Sequence, residues 1–117
     1  MSDWSDWNER REHLGKAIGA YASVSPDTVS SILALNGASA KTNHLDAKTR
    51  ELIALAVAAT TRCDGCITIH AEEAVKAGAT REEIGEALSV AIALNAGAAL
   101  VYSTRIMDAF DAASKGR

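Results

Sequence analysis

Apolar residues along this chain recur at steps of three and four rather than in alternation, which predicts helices and no strands. Trp7, Leu14, Ile18 and Tyr21 fall at steps of 7, 4 and 3, one stripe on a first helix over 6–21 that Trp4 would extend. Ser25-Pro26-Asp27 reads as a helix start, because serine can cap and proline suits the first helical position. The second helix then runs to about Leu35, with Ile32 and Leu35 facing inward. Asn36-Gly37 ends it and leaves 38–45 as a polar connector. Asp46 opens a third helix in which 51–59, ELIALAVAA, is apolar nearly all round, the pattern of a central, buried helix. A fourth helix runs from near Cys63 to Ala77-Gly78, where glycine provides the stop. Thr80-Arg81-Glu82-Glu83 has the form of a capping box and opens a fifth helix that reaches about Asn95. Gly97 marks a break before a sixth helix over 98–112, with Tyr102, Ile106 and Phe110 at steps of four. No repeat or linker interrupts the pattern, so residues 1–117 read as a single all-α domain of about six helices.

Composition sharpens this. Alanine supplies 24 of the 117 residues, there is one proline, and only five residues are aromatic. Alanine leads the helix scale and proline closes it, so the bias favours helix throughout. Apolar residues make up 48% and charged residues 23%, a globular balance that excludes a disordered chain or a disulfide-dense scaffold. The net charge is −3 and no basic cluster is visible, which argues against nucleic acid and anionic lipid as partners. Residues 1–11 are polar, without the apolar core of a signal peptide. The most apolar run, 87–102, is 16 residues long and is interrupted by Ser89, Asn95 and Gly97, short of the ~20 that span a bilayer. A soluble, cytoplasmic protein is expected. Three segments, 52–59, 87–94 and 98–102, are apolar over more than one face. A chain of this size has too little interior to cover them all, which predicts a homo-oligomer.

Candidate chemistry concentrates in Cys63-Asp64-Gly65-Cys66-Ile67-Thr68-Ile69-His70. On a helix, Cys63, Cys66 and His70 lie at about 0°, 300° and 340° around the axis and share one face. The two cysteine Cα atoms are then ~5 Å apart, a separation that a disulfide accepts. Cys63 falls in the first helical turn, where unpaired N–H groups and the macrodipole favour a thiolate. Asp64 beside it opposes that effect. Glu51 is a further candidate. If helices three and four form an antiparallel hairpin about Thr61-Arg62, Glu51 and His70 lie ~15 Å and ~13 Å from its apex, nearly level. Helix rotation decides whether their side chains meet. A carboxylate at that place would orient the imidazole.

Glu51, Cys63, Cys66 and His70, spaced E-x11-C-x2-C-x3-H, resemble the signature of the AhpD-like alkylhydroperoxidases of the carboxymuconolactone decarboxylase superfamily. The flanks 45–57, 71–80 and 98–102 are similar to the same family, so the likeness covers about 45–110. It implies an all-helical fold assembled as trimers or hexamers, and a thiol-based peroxidase or disulfide reductase served by a dithiol reductant, with no cofactor. It also implies that Cys66 is the peroxidatic thiol, that Cys63 resolves it, and that His70 and Glu51 relay protons. One departure stands out: Gly65 occupies the place of a second histidine found in the best-known members. The decarboxylases proper lack the cysteine pair, so the resemblance does not imply their reaction here.

Three other readings compete. The first is a general thiol–disulfide oxidoreductase. The second is a zinc site on Cys63, Cys66 and His70 with His13 or His44 as fourth ligand, although structural zinc usually draws on a second ligand pair that this chain lacks. The third is a non-catalytic helical module whose cysteines are merely buried.

Overall fold

The computed structural model describes residues 6–116; Trp4, expected to extend the first stripe, lies outside them. Five helices occur among the described residues: α1 (Trp7–Val24), α2 (Pro26–Thr42), α3 (Ala47–Thr61), α4 (Asp64–Lys76) and α5 (Arg81–Lys115). No strand occurs among them.

Most boundaries follow local chemistry. Pro26 stands at the first position of α2. The Asp46 side chain accepts the Thr49 N–H at 2.8 Å and caps α3. Gly78, with φ of 84°, ends α4, and its left-handed backbone suits glycine. Thr80 and Glu83 form the expected reciprocal capping box.

Two expectations about helix ends are corrected. Asn36-Gly37 does not end α2, which continues to Thr42. Asn43, with φ of 51°, takes the left-handed stop instead. Gly97 does not break the last apolar run, so the fifth and sixth predicted helices are one helix of 35 residues. The reason is the same in both cases. Neither glycine has positive φ, and a single helical glycine costs only ~1 kcal/mol against its alanine- and leucine-rich neighbours. The bilayer-length reasoning changes with it: Arg81–Lys115 is long and apolar enough, by length and composition, to cross a membrane.

Helix α3 is the hub and packs on both α4 and α5, while α1 packs on α4 and α2. Lys48 pairs with Glu83 at 2.7 Å, and the Asn95 amide reaches Thr60 Oγ1 at 3.0 Å. Both links join residues 35 apart, so α3 and α5 run parallel and in register. Past Asn95, α5 continues beyond the end of α3, and 98–116 are exposed throughout.

The buried interior is small. Leu55, Ala58, Thr68 and Ala74 are the buried residues among those described. The expected burial of α3 therefore holds on the α4 side, while Ile53 and Val57 face out about half exposed. Ile32 and Leu35, expected to point inward, are exposed, as are Ile18, Tyr21, Tyr102, Ile106 and Phe110. The radius of gyration is 19.3 Å, against ~13 Å for a compact chain of this length.

Candidate active site

The site is built on the α3–α4 hairpin. Arg62, in the left-handed region with φ of 57°, reverses the chain, and the Cys63 N–H returns to the Ala58 carbonyl at 3.2 Å. Cys63 is then the N-cap of α4, and its Sγ accepts the Cys66 N–H at 3.2 Å. A sulfur thus stands where a serine or aspartate oxygen commonly caps a helix. Cys66 lies one turn into α4 and is exposed, whereas Cys63 is half-buried; both thiols are free.

The two sulfurs differ in acidity. Hydrogen bonds from the Cys66 thiol and then the Cys66 N–H, with a lesser one from the Gly65 N–H, hold the Cys63 thiol below its ordinary range. Desolvation and the Asp64 charge oppose them. The Cys66 thiol is pushed up, first by its hydrogen bond to Cys63 and then by desolvation and the Cys63 charge. Of the two thiols, Cys63 is therefore the more readily ionised, with the Cys66 thiol donating to it.

One turn further along α4, His70 Nδ1 meets Glu51 Oε1 at 2.7 Å. The level placement expected from the hairpin is met, and the helix rotation that the sequence leaves open brings the side chains together. Both remain partly accessible, at 29% and 21%. With Nδ1–H donating to the carboxylate, Nε2 carries the lone pair. All four residues singled out from the sequence thus lie on one hairpin, as two bonded pairs.

Helix α1 lies against the first turns of α4. Leu14 sits over Gly65, where an added Cβ would come within 3.1 Å of Leu14 Cδ2. The Thr68 hydroxyl donates to the Trp7 carbonyl at 2.9 Å, and Arg11 reaches Glu72 at 3.2 Å. Arg10 pairs with Asp64 at 3.3 Å and lies 5.1 Å from the Trp7 ring centre. Nothing in the sequence pattern singles out Arg10, because 54 residues separate it from Asp64.

A cavity of about 540 Å³ opens between α1 and α4 and is lined by Trp7, Arg11, Ile67, Ala71 and Val75. Those α4 positions point on average about 110° around the helix from the Cys63–Cys66–His70 face, and none of these three residues lines the groove. His13 lines a small cavity with Arg10, Leu14, Asp64 and Gly65, whereas His44 lies beside Arg50 at the α2–α3 corner. Among the described residues, no three His, Cys, Asp or Glu side chains are grouped so as to hold a metal ion.

The model of the carboxymuconolactone decarboxylase family matches residues 26–109, most of the chain and the whole α3–α4 hairpin. The chain belongs to that family. A family member of known structure, a carboxymuconolactone decarboxylase family protein from Legionella pneumophila crystallised in its apo form, is 32% identical. It aligns with a TM-score of 0.71 over 90% of this chain and 94% of its own. An uncharacterized Haemophilus influenzae protein is 54% identical over 107 residues, 92% of this chain and 95% of the relative. A protein encoded in the cox locus of Paracoccus denitrificans, also uncharacterized, is 38% identical over 98 residues, 84% of this chain and 85% of the relative.

Proposed function

We propose that this family member is a thiol-dependent peroxidase of the AhpD-like type, cycling between a Cys63/Cys66 dithiol and its disulfide. The observation that carries this reading is the pairing of His70 Nδ1 with Glu51 at 2.7 Å, one turn from a CxxC at a helix N-terminus. An exposed Cys66 also speaks against a merely buried, inert pair. In the first step Cys66 passes its proton to Cys63 along their hydrogen bond and attacks the terminal peroxide oxygen. The O–O bond breaks, Cys66 becomes a sulfenic acid, and the departing alkoxide takes a proton to leave as the alcohol. Cys63 then attacks the Cys66 sulfur, a disulfide forms and water leaves. The net change is a hydroperoxide and two thiols giving an alcohol, water and a disulfide. His70, held by Glu51, collects the Cys63 proton at Nε2 in the second step and passes it to the departing hydroxide, while the alkoxide of the first step is protonated from solvent. An external dithiol returns the site to its reduced state by thiol–disulfide exchange.

The same dithiol would serve a general thiol–disulfide oxidoreductase. Peroxide consumption with several dithiol donors, comparing wild type with Cys66→Ser, separates the two readings. Consumption by wild type alone supports the peroxidase. Disulfide reduction without peroxide consumption assigns the second activity. A site that must be re-reduced at each turnover suits the cytoplasm. The chain works as a homo-oligomer, with copies of itself covering its exposed apolar helix faces.

A further inference from the structure

The Asp64 carboxylate adjoins the cysteine that caps α4, and a negative charge there works against a thiolate. The fold answers this from another element. Arg10 on α1 reaches the Asp64 carboxylate at 3.3 Å, and its guanidinium lies 5.1 Å from the Trp7 ring centre. Helix α1 is itself fastened to α4 on either side of Arg10. Leu14 packs over Gly65, and the Thr68 hydroxyl, on a residue only 2% exposed, donates to the Trp7 carbonyl. The cation is therefore held on Asp64, the residue that follows the Cys63 cap, by packing as well as by charge.

We propose that Arg10 is a positioning residue for the dithiol: it draws the Asp64 carboxylate toward α1 and offsets the negative charge that opposes a thiolate on Cys63. The inference rests on reading Cys63 and Cys66 as the reacting pair. Among the described residues, the other charged or titratable groups near this end of α4 include Arg62, which directly precedes Cys63. His13 on α1 shares the small cavity with Asp64. On the other side, His70 of α4 is paired with Glu51 of α3. Arg11, the next cation on α1, is engaged by Glu72 and the Thr68 carbonyl.

The test uses the full chain carrying Cys66→Ser, so that Cys63 is the only thiol, and reads the rate of its alkylation by iodoacetamide across pH. Adding Arg10→Gln lowers the neutral-pH rate about twofold, as suits a partly exposed ion pair, and moves the titration midpoint upward. Asp64→Asn raises the rate, and Arg10→Lys restores most of what Arg10→Gln loses. In the Asp64→Asn background, Arg10→Gln changes nothing. Raising the salt concentration shrinks the Arg10→Gln effect. An unchanged rate in Arg10→Gln, or an equal loss with and without Asp64, overturns the proposal. Alkylation needs no peroxide, so a protein that fails to consume peroxide but shows this coupling refutes the peroxidase reading and leaves the role of Arg10 standing.

Discussion

At the scale of single residues, the two cysteines are unequal before any substrate arrives. Cys63 is a helix cap that collects hydrogen bonds, and Cys66 is the donor exposed to solvent. Thiolate absorbance of the reduced protein should rise in two steps, the first below the ordinary thiol value of 9.0 and the second above it. The first belongs to Cys63. Its folded-state value is depressed, so its contribution to stability is present above the unfolded thiol value and is lost as pH falls through the folded one. Roles are separable by trapping. Cys63→Ser should still yield a sulfenic acid after mild peroxide, and Cys66→Ser should not. The opposite pattern would give the first attack to Cys63, whose thiolate the cap hydrogen bonds favour. Glu51→Gln keeps a hydrogen-bonding partner for His70 but removes the charge; turnover should fall at least tenfold, and full activity would remove the carboxylate from the relay.

At the scale of elements, α1 behaves as a brace for the dithiol helix. The buried Thr68 hydroxyl is the tie to test, because Thr68→Val keeps the shape and removes the hydrogen bond to the Trp7 carbonyl. Urea denaturation should report a loss of about 1 kcal/mol, the usual net worth of one hydrogen bond. Limited proteolysis should cut α1 sooner than in wild type. Losing the capping box with Thr80→Ala should cost about 1 kcal/mol through the start of α5 and leave thiol reactivity unchanged. A large change in thiol reactivity there would mean that α5 and the site are more tightly linked than their contacts through α3 indicate.

At the scale of the whole molecule, one chain does not bury its own apolar surface. The accessible area is 9102 Å², against about 6,100 Å² for a compact monomer of 12.2 kDa. The excess lies on faces that carry Ile32, Leu35, Leu100, Val101, Ile106 and Phe110, all exposed. Light scattering on a size-exclusion column at micromolar concentration should show a species several times heavier than 12.2 kDa. Ile106→Glu should shift it toward smaller species, because a charge buried in an apolar interface is costly. A lone 12.2 kDa species in wild type would defeat the assembly.

The sequence by itself determined the helical class, the caps at Asp46 and Thr80, the stop at Gly78, and the CxxC–His face, because each depends on neighbours within one or two turns. It also placed Glu51 level with His70, since a short hairpin link fixes axial position. It could not settle whether Gly37 and Gly97 end helices, because one glycine shifts a helix by little and its surroundings decide. It likewise expected Ile32 and Leu35 to point inward, because an apolar stripe shows which face seeks cover and not whether one chain supplies it. Tertiary structure alone decided the rotation that closes the Glu51–His70 contact and the docking of Leu14 on Gly65. It alone set Arg10 against Asp64, for a contact across 54 residues leaves no periodic trace in the chain.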